Sequence, residues 1–369
     1  MRKSRRLLVF LIVAAITLPV LADGGAQHRT KQTPPVKMGT SGGSVNDRSS
    51  LYCCGGTLGS LVTYDGKLSI LSNNHILARS GSATAGEDTI QPGLIDVGCN
   101  GATSNVIGDF AGDKVPLGRA NVDAAISTAR SGMVDSTGAI IDVGVPCNTT
   151  QAATVGLAVA KSGRTTGKTT GTIQSVNTSV SVQYQKGCNS GKRFTVSYTN
   201  QVVITAGSGS FSAGGDSGSL IVSNDGTPNP VALLFAGNST QTVGNPIGAV
   251  VSAFQAGGHT FSFVGSSCGA TASSTSADST SLGKGGQITP LDAEVDFVRT
   301  VKERHEPDLF AKPGVIGVGV GIDETDPSLA AIVVYFSAGN GAHPQPGLFP
   351  AELDGVKVRV IPTEPFVAQ

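Results

Sequence analysis

From Thr57 to Phe235 the chain keeps returning to one pattern: a short run rich in Val, Ile, Thr and Ser, closed by Gly, Asn or Asp. β-Branched residues pack well on a pleated surface and lose rotamer freedom in a helix, so such runs read as strands. The residues between them supply turn conformations. The clearest instance is Thr57–Tyr64, Asp65-Gly66 and Lys67–Ser72, where Asp-Gly predicts a two-residue hairpin turn. Further strands are expected at Ser104–Ile107, Ala124–Ser127, Ile140–Val143, Gly171–Val176, Val180–Tyr184, Arg193–Tyr198, Gln201–Thr205, Ser219–Val222 and Val231–Phe235, with a short closing helix at Pro246–Phe254. Many short strands at this spacing imply a mainly β barrel or sandwich over residues 51–262. Fifty glycines, no tryptophan and few charges agree with tight turns rather than long helices.

The flanks read differently. Arg2, Lys3, Arg5 and Arg6 precede the apolar run Leu7–Leu21, and Ala22 offers a small residue for cleavage, so residues 1–22 read as a signal peptide. The run is short for a membrane span, so no stable anchor is expected, a retained anchor being the alternative. Cleavage leaves 22 Lys+Arg against 26 Asp+Glu, a net charge of −4 with no basic run, which speaks against nucleic acid as a partner. All six cysteines lie in the exported part, and an even number in a secreted chain predicts disulfides of open connectivity. With no C-x-x-C pair and little histidine nearby, no metal is expected.

Residues 23–50 are polar and contain Pro34-Pro35, and read as a loose N-terminal arm. Residues 263–290, rich in Ser, Thr, Ala and Gly, read as a linker. In 291–369, Leu291, Val295, Val298 and Val301 predict a helix over 291–305, followed by strands at Val315–Ile322, Ala331–Phe336 and Val356–Ile361: a small α+β module. Gly317, Gly319 and Gly321 alternate with apolar residues, which leaves one bare face for a helix or another chain to approach.

The chemistry centres on Gly214-Gly215-Asp216-Ser217-Gly218-Ser219. A serine nucleophile needs a base, a group that orients the base, and donors for an oxyanion. A glycine-rich loop can present a serine together with backbone N–H groups, although alone it is equally an ordinary polar turn. Of His28, His75, His259, His305 and His343, only His75 stands at a strand end inside the β domain. For the carboxylate, Asp123 opens an apolar run where an acid is costly without a partner, with Asp109 and Asp142 as alternatives.

The order His75, Asp123, Ser217 and the sequence Gly215-Asp216-Ser217-Gly218 resemble the chymotrypsin-fold serine proteases. Cys54-Gly55-Gly56-Thr57-Leu58 and the strand ending at His75 look like that family's histidine-bearing region. Lys161-Ser162-Gly163-Arg164-Thr165-Thr166-Gly167, followed by Gly171-Thr172-Ile173, is similar to the bacterial α-lytic and streptogrisin branch. The resemblance covers about residues 52–255. It implies a double six-stranded β-barrel of chymotrypsin type and a secreted (extracellular or periplasmic) serine endopeptidase acting on proteins or peptides, with no cofactor. Ser217 would attack, His75 would carry the proton and Asp123 would orient it, while the N–H groups of Gly215 and Ser217 would bind the oxyanion. By the same analogy Lys161 would pair with Asp216.

There are departures from the family pattern. Ile76 follows His75 where many relatives carry cysteine, so Cys54 needs another partner, and Cys99 is expected. Phe235-Ala236-Gly237 stands in place of the usual specificity-pocket segment, and Phe235 replaces a serine that often bonds the aspartate, so side-chain preference is not readable. An α/β-hydrolase is disfavoured because the loop lacks the last glycine of G-x-S-x-G. Competing readings are a catalytically silent binding protein of the same fold, or a precursor held inactive by the C-terminal module. That module would serve as an intramolecular inhibitor, a folding aid or a docking domain.

Overall fold

The computed structural model describes residues 25–188, 190–268, 290–337 and 344–369. The expected signal peptide, His343 and most of the 263–290 linker lie outside the described residues. After a one-turn helix α1 (Ala26–Arg29) come β1 (Thr40–Ser44), β2 (Gly56–Leu58), β3 (Ser60–Tyr64), β4 (Lys67–Ser72), a second one-turn helix α2 (Asn74–Leu77), β5 (Glu87–Gln91), β6 (Asn105–Phe110) and β7 (Ala125–Ala129). With β2 and β3 forming one strand bent at Gly59, the pairing β1–β2/β3–β4–β7–β6–β5–β1 closes a ring of six. At the hairpin turn Asp65 and Gly66 have φ of 45° and 76°. Left-handed geometry at both positions matches the twist of the paired strands, and Tyr64 faces Lys67.

A second ring follows the same logic. β8 (Ala158–Gly163), β9 (Gly167–Gln185), β10 (Arg193–Ala206), β11 (Leu220–Ser223), β12 (Pro230–Gly237) and β13 (Gln241–Pro246) close in the order β8–β9–β10–β13–β12–β11–β8. The two runs expected at 171–176 and 180–184 are one strand, with Asn177 at φ 48° where the pairing with β10 shifts register. Helix α3 (Ile247–Gln255) leaves this barrel and buries Val250 and Phe254 in the core of the first, and β14 (Phe261–Phe263) adds to β3. Ile140 makes isolated bridges rather than a strand.

The C-terminal module comprises α4 (Asp292–Phe310), β15 (Val315–Ile322), β16 (Ala330–Phe336), β17 (Glu352–Leu353), β18 (Val356–Pro362) and β19 (Phe366–Ala368). β15 pairs with the middle of β9, residues 175–180, so the module continues the second barrel's sheet. Val298, Val301, Val318, Val320 and Ile332 share one core with Val159, Ile173 and Ile204 of that barrel. The chain is thus mainly β: a double six-stranded barrel of chymotrypsin type with a small α+β addition.

Several expectations need correcting. Residues 25–50 are no loose arm: His28 is buried, Val36 and Met38 join the first core, and every residue of β1 is buried. Thr-Ser-Gly-Gly-Ser, expected to be part of the arm, is instead a strand, and a Cβ at Gly42 would overlap Leu58, so the strand needs the missing side chain. Within the chain, the bare face of β15 is covered by neighbouring strands rather than by a helix. A Cβ at Gly319 would overlap Thr178, and one at Gly321 would lie 2.6 Å from Val333 Cγ2, so side chains of the flanking strands fill it. The disulfides are Cys53–Cys99, Cys54–Cys188 and Cys147–Cys268, not Cys54–Cys99. Neighbouring cysteines on an extended backbone point to opposite sides, so Cys53 takes Cys99 while Cys54 reaches the tip of the β9–β10 hairpin.

Candidate active site

His75 is delivered by the turn of α2, directly after the central strand β4. Asn73 Nδ2 donates to Asp123 O at 2.7 Å and Asn74 Nδ2 to Val115 O at 2.7 Å, tying this turn to the segment leading into β7. Asp123 is fully buried between Val122 and Ala124, and Asn245 Oδ1 accepts its N–H at 3.0 Å. Its carboxylate accepts from His75 N–H at 3.2 Å, His75 Nδ1 at 2.6 Å and Tyr184 Oη at 2.9 Å. Tyr184 Oη also contacts Tyr198 Oη at 2.7 Å. Burial and the Asp123 charge push the Tyr184 hydroxyl well above its ordinary range, so it stays protonated and donates. Burial draws the His75 pKa down, but the charge and hydrogen bond of Asp123, helped by the Gln369 carbonyl and Asp47, outweigh it and raise the imidazole above its usual value.

The alternative carboxylates go elsewhere. Asp142 meets His28 Nε2 at 3.0 Å, and Asp109 is held by Arg130 at 2.6 Å. His259 pairs with Asp65 and His305 with Asp354.

Ser217 lies in the loop before β11, fully buried, with Oγ donating to Phe235 O at 3.1 Å. Thr57 N donates to Ser217 O at 2.8 Å, linking the loop to the first barrel. Gly215 has φ 98°, a left-handed conformation that favours glycine, and a Cβ there would also displace the end of the Arg164 side chain, 2.7 Å away at Nη1. Among the described residues, the N–H groups of Gly215 and Ser217 have no protein acceptor. The turn is fixed by Asp216, which accepts from Thr165 N at 2.8 Å, Thr166 Oγ1 at 2.7 Å and Ala213 N at 3.0 Å. Lys161 Nζ, fully buried, stands 3.4 Å from Asp216 Oδ2 and donates to Gly167 O at 2.9 Å and to Thr166 Oγ1. Burial pulls the ammonium's pKa down and Asp216 partly restores it.

Around His75 opens a cleft of about 410 Å³ bordered by Asp47, Arg79, Arg164, Tyr184 and Gly215. Asp47 is nearly buried, and desolvation raises its pKa to about 6 against the opposing pull of His75 and Arg79. Of the expected specificity segment, Phe235 packs its ring against Tyr198, while Ala236 and Gly237 pair with β19. Gln369 bridges the site: its N–H donates to Phe235 O at 3.3 Å and its carbonyl oxygen accepts from His75 Nε2 at 3.2 Å. Sequence reasoning missed Tyr184, Asn245, Asp47 and residues 366–369. Tyr184 had a signal, because it shares the buried face of its strand with Val180 and Val182.

Among the described residues no group of three His, Cys, Asp or Glu side chains could hold a metal ion, and no helix is long and apolar enough to cross a membrane. Residues 114–245, from just before Asp123 to Asn245, match the family model described as the Nal1 C-terminal domain. No curated protein matches the chain. In structure the chain is similar to bacterial chymotrypsin-fold serine proteases. A glutamic acid-specific serine protease matches at 20% identity with a TM-score of 0.40, covering 62% of this chain and 100% of its own. Thermobifida fusca protease A matches at 21% identity and a TM-score of 0.41, covering 63% and 99%. An α-lytic protease homolog, N4, matches at 19% identity and 0.39, covering 59% and 96%.

Proposed function

We propose that the protein is a secreted serine endopeptidase in which Ser217 attacks a peptide carbonyl to form an acyl-enzyme. His75 accepts the Ser217 proton and passes it to the leaving amine, while Asp123 holds the imidazole and balances its charge. The N–H groups of Gly215 and Ser217 receive the oxyanion. The Lys161–Asp216 pair is a positioning device that holds the loop in the conformation presenting both.

The observation that carries this reading is the contact between His75 Nδ1 and the buried Asp123 carboxylate at 2.6 Å, which leaves Nε2 facing the cleft. Ser217 Oγ donates to Phe235 O and makes no hydrogen bond to His75 among the described residues, so the reading requires the Ser217 side chain to leave Phe235 O and turn toward His75 Nε2. The test is phosphonylation by a fluorophosphonate probe. A single adduct on Ser217 is expected, and no adduct after prolonged exposure to excess probe would overturn the proposal.

A further inference from the structure

The cleft already holds an extended segment, residues 366–369. β19 runs antiparallel to β12, with Ala368 opposite Ala236 and Val367 opposite Gly237. On its other edge it runs parallel to β9, with Phe366 opposite Val182. Adding a strand to free sheet edges is how a sheet takes up a peptide, main-chain bonds giving affinity and side-chain pockets giving choice.

The positions are read differently. Phe366 is fully buried among Val180, Val182, Phe235 and Tyr335, its ring edge-on to Tyr335 at 5.8 Å, whereas Val367 is 42% exposed. Gln369 turns its side chain into a slot made by Ser212, Thr242 and Gly237. Ser212 Oγ donates to Gln369 Oε1 at 2.6 Å and lies 2.5 Å from Thr242 Oγ1. A Cβ on Gly237 would come within 2.5 Å of Gln369 Nε2, so the amide fits because residue 237 has no side chain.

We infer that the acyl side of this cleft selects peptide segments with glutamine at the position attacked and a buried aromatic residue three positions earlier, and that residues 366–369 are its intramolecular occupant. The slot presents neutral hydroxyls. A carboxylate there would be desolvated with one hydroxyl donor, an ammonium would find no counter-charge, and a leucine would leave the Ser212–Thr242 hydroxyl pair one acceptor short. The occupied state is also incompatible with turnover. With Nδ1 donating to Asp123 and Nε2 donating to a carbonyl, both ring nitrogens carry protons, and the ring cannot accept one from Ser217.

The substrate half of this inference rests on the peptidase reading; the binding half does not, and the experiment separates them. A chain ending at residue 365 and carrying Ser217→Ala is titrated calorimetrically with acetyl-Phe-Val-Ala-Gln-amide and with analogues ending in Leu, Lys or Glu. The Gln peptide is expected to bind at least about tenfold tighter than each analogue, equivalent to about 1.4 kcal/mol. The full-length Ser217→Ala chain should bind it at least about tenfold more weakly, its own segment competing. Equal or tighter binding of an analogue, or equal affinity of the two chains, overturns the inference. Because truncation removes the buried Phe366, a full-length Gln369→Leu variant provides a second reading. Its Ser217 should phosphonylate faster than the parent, and an unchanged rate counts against the occupant. Selective binding of the Gln peptide without cleavage of an extended version by the Ser217 chain would refute the peptidase reading alone. Cleavage without preference for Gln would refute the inference alone.

Discussion

The hydroxyl of Tyr184 offers the sharpest probe of how Asp123 is held, because Tyr184→Phe deletes one oxygen and little volume. That oxygen donates to the buried Asp123 Oδ2 at 2.9 Å and contacts Tyr198 Oη at 2.7 Å. A hydrogen bond to a charged group contributes about 1.5–3 kcal/mol, and leaving the buried Tyr198 hydroxyl without this partner adds about 1 kcal/mol. The variant should therefore lose about 2–4 kcal/mol of stability, read from denaturant midpoints with the disulfides intact. The substitution has a second consequence. Asp123 Oδ2 is shared between Tyr184 and His75, so removing the competitor strengthens its hold on the imidazolium. A raised histidine pKa favours the protonated ring, which cannot act as a base, so the acid limb of the phosphonylation-rate profile should move to higher pH. A stability change under about 0.5 kcal/mol with an unmoved pH profile would mean that the Tyr184 hydroxyl does not hold Asp123. A stability loss with an unmoved profile would make Tyr184 a packing residue only.

Two further perturbations follow from buried charges. Lys161→Ala strands the fully buried Asp216, which typically costs about 3–5 kcal/mol, and the remaining backbone and Thr166 donors place the expectation near about 3 kcal/mol. Slower Ser217 phosphonylation should accompany the lowered denaturant midpoint, and a variant equal to the parent in both would contradict the positioning role. Asp47 works in the opposite direction: its folded-state pKa, raised to about 6, means the protonated acid is favoured in the fold, so the stability it contributes at low pH is lost as pH climbs through about 6. The stability difference between Asp47→Asn and the parent should therefore grow in favour of Asn by roughly 2–3 kcal/mol between pH 4 and pH 8, and a pH-independent difference would argue against it.

Local chemistry carried much of the fold into the sequence. Asp65-Gly66 specified its hairpin because two left-handed residues are what a twisted two-residue turn requires. Val315–Ile322 read as a strand and is one. What escaped was set by partners distant in the chain. β1 has the small polar composition of a loose arm, yet pairs as a strand with Leu58 packed where a side chain at Gly42 would stand. Cys54 bonds a residue 134 positions away, a choice its own neighbours do not encode. Of His75, Asp123 and Ser217, the first two meet in a hydrogen bond while Ser217 Oγ bonds Phe235 O, and the sequence could not say what surrounds any of them. Tyr184 reaches Asp123 because a long strand crosses the cleft, and residues 366–369 arrive there only through the added sheet of the module. The expectation that Phe235 stands where a serine would support the aspartate left that role open, and in the structure a hydrogen bond from β9 reaches the carboxylate instead.

In the proposed mechanism Ser217 is made nucleophilic by His75. That step is tested most directly by peptide mapping after reaction of the full chain with a fluorophosphonate, alongside Ser217→Ala and His75→Ala. One adduct is expected, on Ser217, absent in the first variant and formed about 10²–10⁴-fold more slowly in the second. An adduct on another residue, or a rate unaffected by the loss of His75, would contradict it.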